Sequence, residues 1–161
     1  MAIIFKSVEY RNFLSTGNQP IKVDLNRNRN TLILGENGAG KSTFMDAMTF
    51  ALFNKSFRKT NKPSLVNSIN QKGCLVEVEF EIGRKKYRVV RGQKPTIFEI
   101  YKNGKLVNQD ASSHDYQKHL EQNILKMNYK AFTQVVILGS TNYIPFMQLT
   151  AADRRTVIEN L

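Results

Sequence analysis

Thr31-Leu32-Ile33-Leu34-Gly35-Glu36-Asn37-Gly38-Ala39-Gly40-Lys41-Ser42-Thr43 is the stretch on which the fold turns. Leu32, Ile33 and Leu34 form a short apolar run bounded by glycine, the pattern of a strand buried on both faces. Gly35 to Ser42 then fits G-x-x-x-x-G-K-[ST], the phosphate-binding loop. Each residue type has a job there. The glycines let the backbone wrap a phosphate so that several N–H groups point inward. Lys41 reaches the β- and γ-phosphates, and the Ser42 hydroxyl holds Mg²⁺. Gly35, Asn37, Gly38, Ala39, Gly40, Lys41, Ser42 and Thr43 are therefore the expected nucleotide-binding residues, with Ser42 as the metal ligand.

Immediately after the loop the apolar spacing changes. Phe44, Ala47, Met48, Ala51 and Leu52 fall at i, i+3, i+4, i+7 and i+8, with Met45 and Phe53 on the flanks. That predicts a helix buried on most sides, whose positive end faces the phosphate. Strand, glycine loop and helix in this order specify an α/β fold of the P-loop NTPase kind.

On the other side of the loop, Ile3, Phe5, Val8 and Tyr10 suggest a strand. A turn at Gly17 leads to Ile21, Val23 and Leu25, predicting a hairpin. Downstream, Pro63 argues for a loop over 58–70. Cys74, Val76, Val78, Phe80 and Ile82 alternate with Glu77, Glu79 and Glu81. If Gly83-Arg84 is a two-residue turn, Glu81 opposes Lys86, Phe80 opposes Tyr87, Glu79 opposes Arg88 and Val78 opposes Val89. Asn103-Gly104 signals another hairpin, between Ile97–Tyr101 and Leu106-Val107. Ser112-x-x-Asp115 and Thr150-x-x-Asp153 are helix-start signals. Tyr116, Leu120, Ile124 and Met127 would line one helical face, and Tyr129 to Leu138 reads as helix running into strand.

At 161 residues and 41% apolar content the chain is the size of one domain with its own core. No apolar run approaches the ~20 residues of a membrane span, no secretory leader is visible at the start, and one cysteine, Cys74, permits no internal disulfide. A cytoplasmic address is expected. Twenty-four Lys and Arg against thirteen Asp and Glu give a net charge of +11, which points to a polyanionic partner such as DNA. Arg84, Lys85, Arg91 and Lys94 are the DNA-contact candidates, since the predicted ladder supplies Lys86 and Arg88 with glutamate partners. His114 and His119, five apart, do not share a helical face for a metal.

Hydrolysis needs a second element, an apolar strand ending in Asp that anchors the metal. None of Asp24, Asp46, Asp110, Asp115 and Asp153 ends such a run, and Val135–Leu138 ends in Gly139-Ser140-Thr141. The stretch is incomplete as a catalyst. A small GTPase or kinase and a DNA-binding module with a vestigial loop are the rival readings. The GTPase base reader Asn-Lys-x-Asp has only Asn61-Lys62-Pro63-Ser64 as a partial counterpart.

Tyr10-Arg11-Asn12-Phe13, the hairpin, Gly35 to Thr43, Asp46-Ala47 and Ala51-Leu52-Phe53 together resemble the SbcC-type ATPases, relatives of the SMC proteins that act in double-strand-break repair. Arg91 to Pro95, Phe98-Glu99-Ile100, Val135 to Gly139 and Pro145-Phe146-Met147 are similar to the phage branch of that family, the large subunits of T-even-like recombination exonucleases. The resemblance implies a bipartite ATPase head, mixed-sheet and hairpin-rich. Residues 1–161 would be its N-terminal lobe: 1–53 with the loop and helix, 54–110 with the hairpins, and 111–161 leading to a coiled coil. A C-terminal lobe would supply the metal-binding Asp and so permit ATP hydrolysis. Two heads would sandwich ATP and act with an SbcD-type nuclease on DNA. Two family residues have no direct match. The nucleotide-touching arginine after Asn-Phe is Leu14 here, with Arg11 as a substitute, and the sensor glutamine is replaced by Ser140, with Gln148 downstream.

Overall fold

The computed structural model describes residues 2–107, 112–138 and 144–159. These form two compact units, residues 1–110 and 111–161.

Among the described residues the first unit is a six-stranded sheet carrying one α-helix and a short 3-10 turn, Lys62–Leu65. β1 (Ile3–Arg11), β2 (Ile21–Asp24), β3 (Cys74–Ile82), β4 (Lys85–Gln93), β5 (Ile97–Lys102) and β6 (Lys105–Leu106) are ordered β2-β1-β3-β4-β5-β6. All five pairings among the described residues are antiparallel. Helix α1 (Thr43–Phe53) packs on β1, β3 and β4. The β3–β4 register is the one alternation predicts, with Phe80 opposite Tyr87 and Val78 opposite Val89. Phe80 and Tyr87 stack with ring centroids 5.3 Å apart. The ion pairs run differently from the expected ladder. Arg88 reaches diagonally to Glu77 at 3.5 Å, and Glu81 turns to Lys6 at 3.3 Å, leaving Lys86 exposed.

β1 changes which of its residues point inward partway along. Phe5 pairs with Phe80 and Ser7 with the adjacent Glu79, so Lys6 is an extra residue, a β-bulge. That insertion explains why the apolar set runs Ile3, Phe5 and then Val8, Tyr10. At the Asn103-Gly104 turn both residues have positive φ (51° and 79°), as a type I′ turn requires.

A further sequence expectation fails in this unit. Residues 31–34 form no strand, and Leu32, Ile33 and Leu34 are 80%, 41% and 82% exposed. A doubly buried strand needs a neighbour on each side, and the six strands of this sheet offer it none.

The second unit is helical. α2 (Ser113–Lys118) continues into a π-helical turn, His119–Leu125, followed by α3 (Tyr129–Val135) and α4 (Ala151–Glu159). Both predicted starts are capped. Ser112 Oγ accepts from Asp115 N at 3.3 Å, and Thr150 Oγ1 accepts from Asp153 N at 3.2 Å. Tyr116, Leu120 and Ile124 are buried as one face, whereas Met127 lies beyond the helix and is half-buried. After α3 the chain turns at Val136, and residues 137–138 form no strand. The helix half of the Tyr129–Leu138 expectation is present and the strand half is not. Among the described residues no helix is long and apolar enough to cross a membrane.

Candidate nucleotide-binding site

Gly38 and Gly40 both take φ near +83°, a left-handed conformation that side chains resist, and this folds the loop into a cup. One amide is spent on the cup itself, Ala39 N donating to Glu36 O at 3.1 Å. The amides of Gly38, Gly40, Lys41 and Ser42 have no protein acceptor among the described residues. Unpaired N–H groups at a helix start are an anion site. Gly35 is closely packed. A Cβ there would lie 3.3 Å from the Ala39 Cβ and 3.4 Å from the Lys41 stem. The Lys41 ammonium donates to the Gly35 carbonyl, which holds the cation over the loop.

Ser42 is the N-cap of α1, with φ −93° and ψ −3°, and its side chain makes no capping bond. Its hydroxyl is thus not committed to the helix and suits a magnesium ligand. Among the described residues no group of three or more His, Cys, Asp or Glu comes together to hold a metal. If Mg²⁺ is bound, the Ser42 hydroxyl would be among its ligands and the ion would offset phosphate charge.

Asp46, in the first turn of α1, is fully buried. An acid beside a phosphate site would repel its ligand. Here the carboxylate accepts from Arg58 N at 3.0 Å and from Arg58 Nε at 2.6 Å. The pair neutralises the acid and folds residues 54–60 back along the helix. At the other end of α1, Arg91 donates from Nε to Ala51 O at 2.9 Å. Sequence reading missed both contacts. The signal for the first was a lone acid four residues after Ser42 in an apolar helix.

The DNA candidates separate. Arg84, Lys85 and Lys94 are exposed; Arg91 is 5% exposed, with its guanidinium 3.7 Å from the Phe98 ring centroid. A phosphate backbone has no route to a side chain so covered, so Arg91 leaves the DNA set. Three other cations, Lys86, Lys102 and Lys105, lie beside two of the remaining candidates. Asn103 N donates to Lys86 O at 2.7 Å and Asn103 Oδ1 accepts from Lys86 N at 2.9 Å, bringing the two turns to one end of the sheet. That end carries Arg84, Lys85, Lys86, Lys102 and Lys105, all exposed. Arg11 ends β1 and is exposed. Gln148 closes a short 3-10 turn, Phe146–Gln148, in the second unit. Ser140 lies outside the described residues.

A glycine loop with open amides, a lysine over it and an uncommitted serine at a helix start define a P-loop nucleotide-binding protein. Residues 7–161 match the family of AAA domains, and the chain belongs to that family. It is 47% identical over 154 residues to "Exonuclease subunit 2" of Enterobacteria phage T4, covering 96% of this chain and 27% of that protein. To the "DNA double-strand break repair Rad50 ATPase" of Methanococcus maripaludis it is 32% identical, covering 99% of this chain and 16% of that protein. It therefore spans about a quarter or less of these relatives' length. Among solved structures, one described under ATP-driven dimerization and DNA-stimulated activation of SMC ATPases matches with a TM-score of 0.61 at 19% identity, covering 98% of both chains. The Smc head domain of Pyrococcus furiosus, bound to the C-terminal domain of ScpA, matches with a TM-score of 0.55 at 19% identity, over 79% of this chain and 34% of that one. These two likenesses bear on the fold, which is that of an SMC-type ATPase head.

Proposed function

We propose that this chain is the ATP-binding N-terminal lobe of an SMC-like ATPase subunit in a recombination and repair exonuclease that acts on DNA ends. The observation that carries the reading is the pairing of a formed phosphate loop with an unformed approach to it. The amides around Asn37–Lys41 are shaped for a triphosphate, while Leu32–Leu34 lie exposed as a strand without neighbours. The missing strands and the metal-binding Asp belong to a second lobe, so ATP is bound here and hydrolysed only when that lobe is present.

In this reading the open amides and Lys41 hold the β- and γ-phosphates, Ser42 holds Mg²⁺, and Thr43 adds a further nucleotide contact. Arg11 is the candidate for the nucleotide-touching arginine, and Ser140 or Gln148 for the sensor glutamine. Residues 1–53, 54–110 and 111–161 serve as loop-bearing, hairpin and coil-directed parts of one lobe. Two heads sandwich ATP, and their engagement governs a partner nuclease of the SbcD type. The names of the phage and archaeal relatives support this assignment. The cationic end of the sheet, Arg84 and Lys85 with Lys86, Lys102 and Lys105, meets DNA phosphates, with Lys94 at the opposite end of β4 as a separate contact.

The test is equilibrium binding of ATP and GTP with Mg²⁺ to the wild-type chain and to Lys41→Ala. Wild type binds ATP, and the variant binds at least about tenfold more weakly, the loss of a charge-assisted contact. Preference for GTP would favour a GTPase. Equal binding by both proteins would leave a DNA module with a vestigial loop.

A further inference from the structure

Arg91 sits where a strand side chain has the least freedom. β4 is a central strand, and Arg91 is flanked in register by Val76 on β3 and Phe98 on β5. Its guanidinium is stacked on Phe98 and donates to Ala51 O in the last turn of α1. Carbonyls of a last helical turn lack intrahelical donors and form the negative pole of the helix. A buried guanidinium is costly to desolvate, and apolar side chains fill such space better. What it adds over them is direction: a planar, stacked donor fixes where one carbonyl stands.

That carbonyl belongs to the helix that begins at the phosphate loop. α1 is 11 residues long, a rod of about 16 Å whose first residue follows Ser42 directly. Asp46 and Arg58 hold it near the loop, and Arg91 holds it at the far end. With both ends fixed, the inclination of the rod is set, and with it the aim of the loop amides and the Ser42 hydroxyl.

We propose that Arg91 is a positioning residue for the phosphate-binding loop, acting through Ala51 and the length of α1 rather than by touching nucleotide or DNA. The proposal rests on the nucleotide reading above. Its consequence is that Arg91 sets ATP affinity from two helical turns beyond the loop.

The test compares Arg91→Met, Arg91→Lys and Phe98→Leu with Val89→Ala, a fully buried neighbour on the same strand and face. ATP binding is measured with Mg²⁺ on the full chain, below the melting temperature of every variant. Arg91→Met is expected to weaken binding about tenfold, the loss of a hydrogen bond from a charged group. Arg91→Lys, which keeps charge without the planar stack, falls between Met and wild type. Val89→Ala melts earlier but binds as wild type does. If Arg91→Met and Arg91→Lys also lose only melting temperature, the inference is wrong. Should Arg91→Met not fold, Arg91→Lys and Phe98→Leu carry the comparison, and unchanged affinity in both overturns it. Amide exchange over Asp46–Phe50 gives a readout that needs no nucleotide. The Arg91 variants should exchange faster there than their loss of global stability accounts for, and Val89→Ala should not. If wild type binds no ATP, the nucleotide reading fails while the exchange result still decides whether Arg91 orients α1.

Discussion

Helix α1 and the segment that leads into it are joined by a single loop, yet they live under opposite conditions. Nine of the eleven residues of α1 are buried, and its core contacts include Phe50 against Phe13 with ring centroids 5.7 Å apart. Leu32 and Leu34 have comparable apolarity and almost no cover. The contrast teaches that the two walls of a phosphate loop need not be equally built. The helical wall is packed among the described residues, while residues 31–34 stand there without strand neighbours.

Truncating the two sides asks whether that asymmetry is energetic. Phe50→Ala should cost about 3–5 kcal/mol, the penalty for emptying a packed aromatic site, read as a fall in the urea midpoint. Leu34→Ala should change stability by less than about 0.5 kcal/mol, as at an exposed position. Similar losses at both would mean that residues 31–34 are packed after all. A sharper probe is Arg58→Ala. It removes one of the two donors to a carboxylate whose side chain is 1% exposed, and breaking such a pair costs about 3 kcal/mol. Half of the Arg58 side chain is in water, which tempers the loss, so about 2 kcal/mol is expected by chemical denaturation.

Cys74 reports on the built wall without a mutation. Burial pushes its thiol up to about 11, so at pH 8 it should resist aromatic disulfide reagents until the sheet unfolds. Rapid labelling under native conditions would show that β3 opens locally. The smallest effect concerns the second unit. The Lys130 ammonium bonded to Asp153, then the Thr150 hydroxyl, holds that carboxyl below the ordinary range. A depressed folded pKa stabilises above the unfolded value and is lost as the pH falls through the folded one. Acid titration of α4 amide signals should therefore show loosening below about pH 4, and Lys130→Met should remove that acid step.

Much of the first unit was legible because its signals are local. Alternation over Cys74–Ile82 and the turn pairs Gly83-Arg84 and Asn103-Gly104 fix register within a few residues, and the helix after the loop follows from 3.6-residue spacing. The bulge at Lys6 was visible only as a skipped beat between Phe5 and Val8. The state of Leu32–Leu34 was not legible, since apolarity says that a segment wants cover and not whether cover is present. Arg91 misled for a related reason. Charge in a basic run suggests a surface, and only the inward face of β4 places that guanidinium under a helix. At the site, the motif marked the loop that folds into a cup, whereas the Asp46–Arg58 contact spans a turn whose path no periodicity describes.

The uncovered leucines also bear on how the chain behaves as a colloid. An unpaired apolar stretch is a template for strand addition between molecules, and a surplus of eleven positive charges is what keeps such templates apart. Salt at about 0.15 M shortens the reach of that repulsion to roughly 8 Å. Solutions clear at low ionic strength should therefore scatter light as salt is raised, and Leu32→Lys with Leu34→Lys should restore clarity.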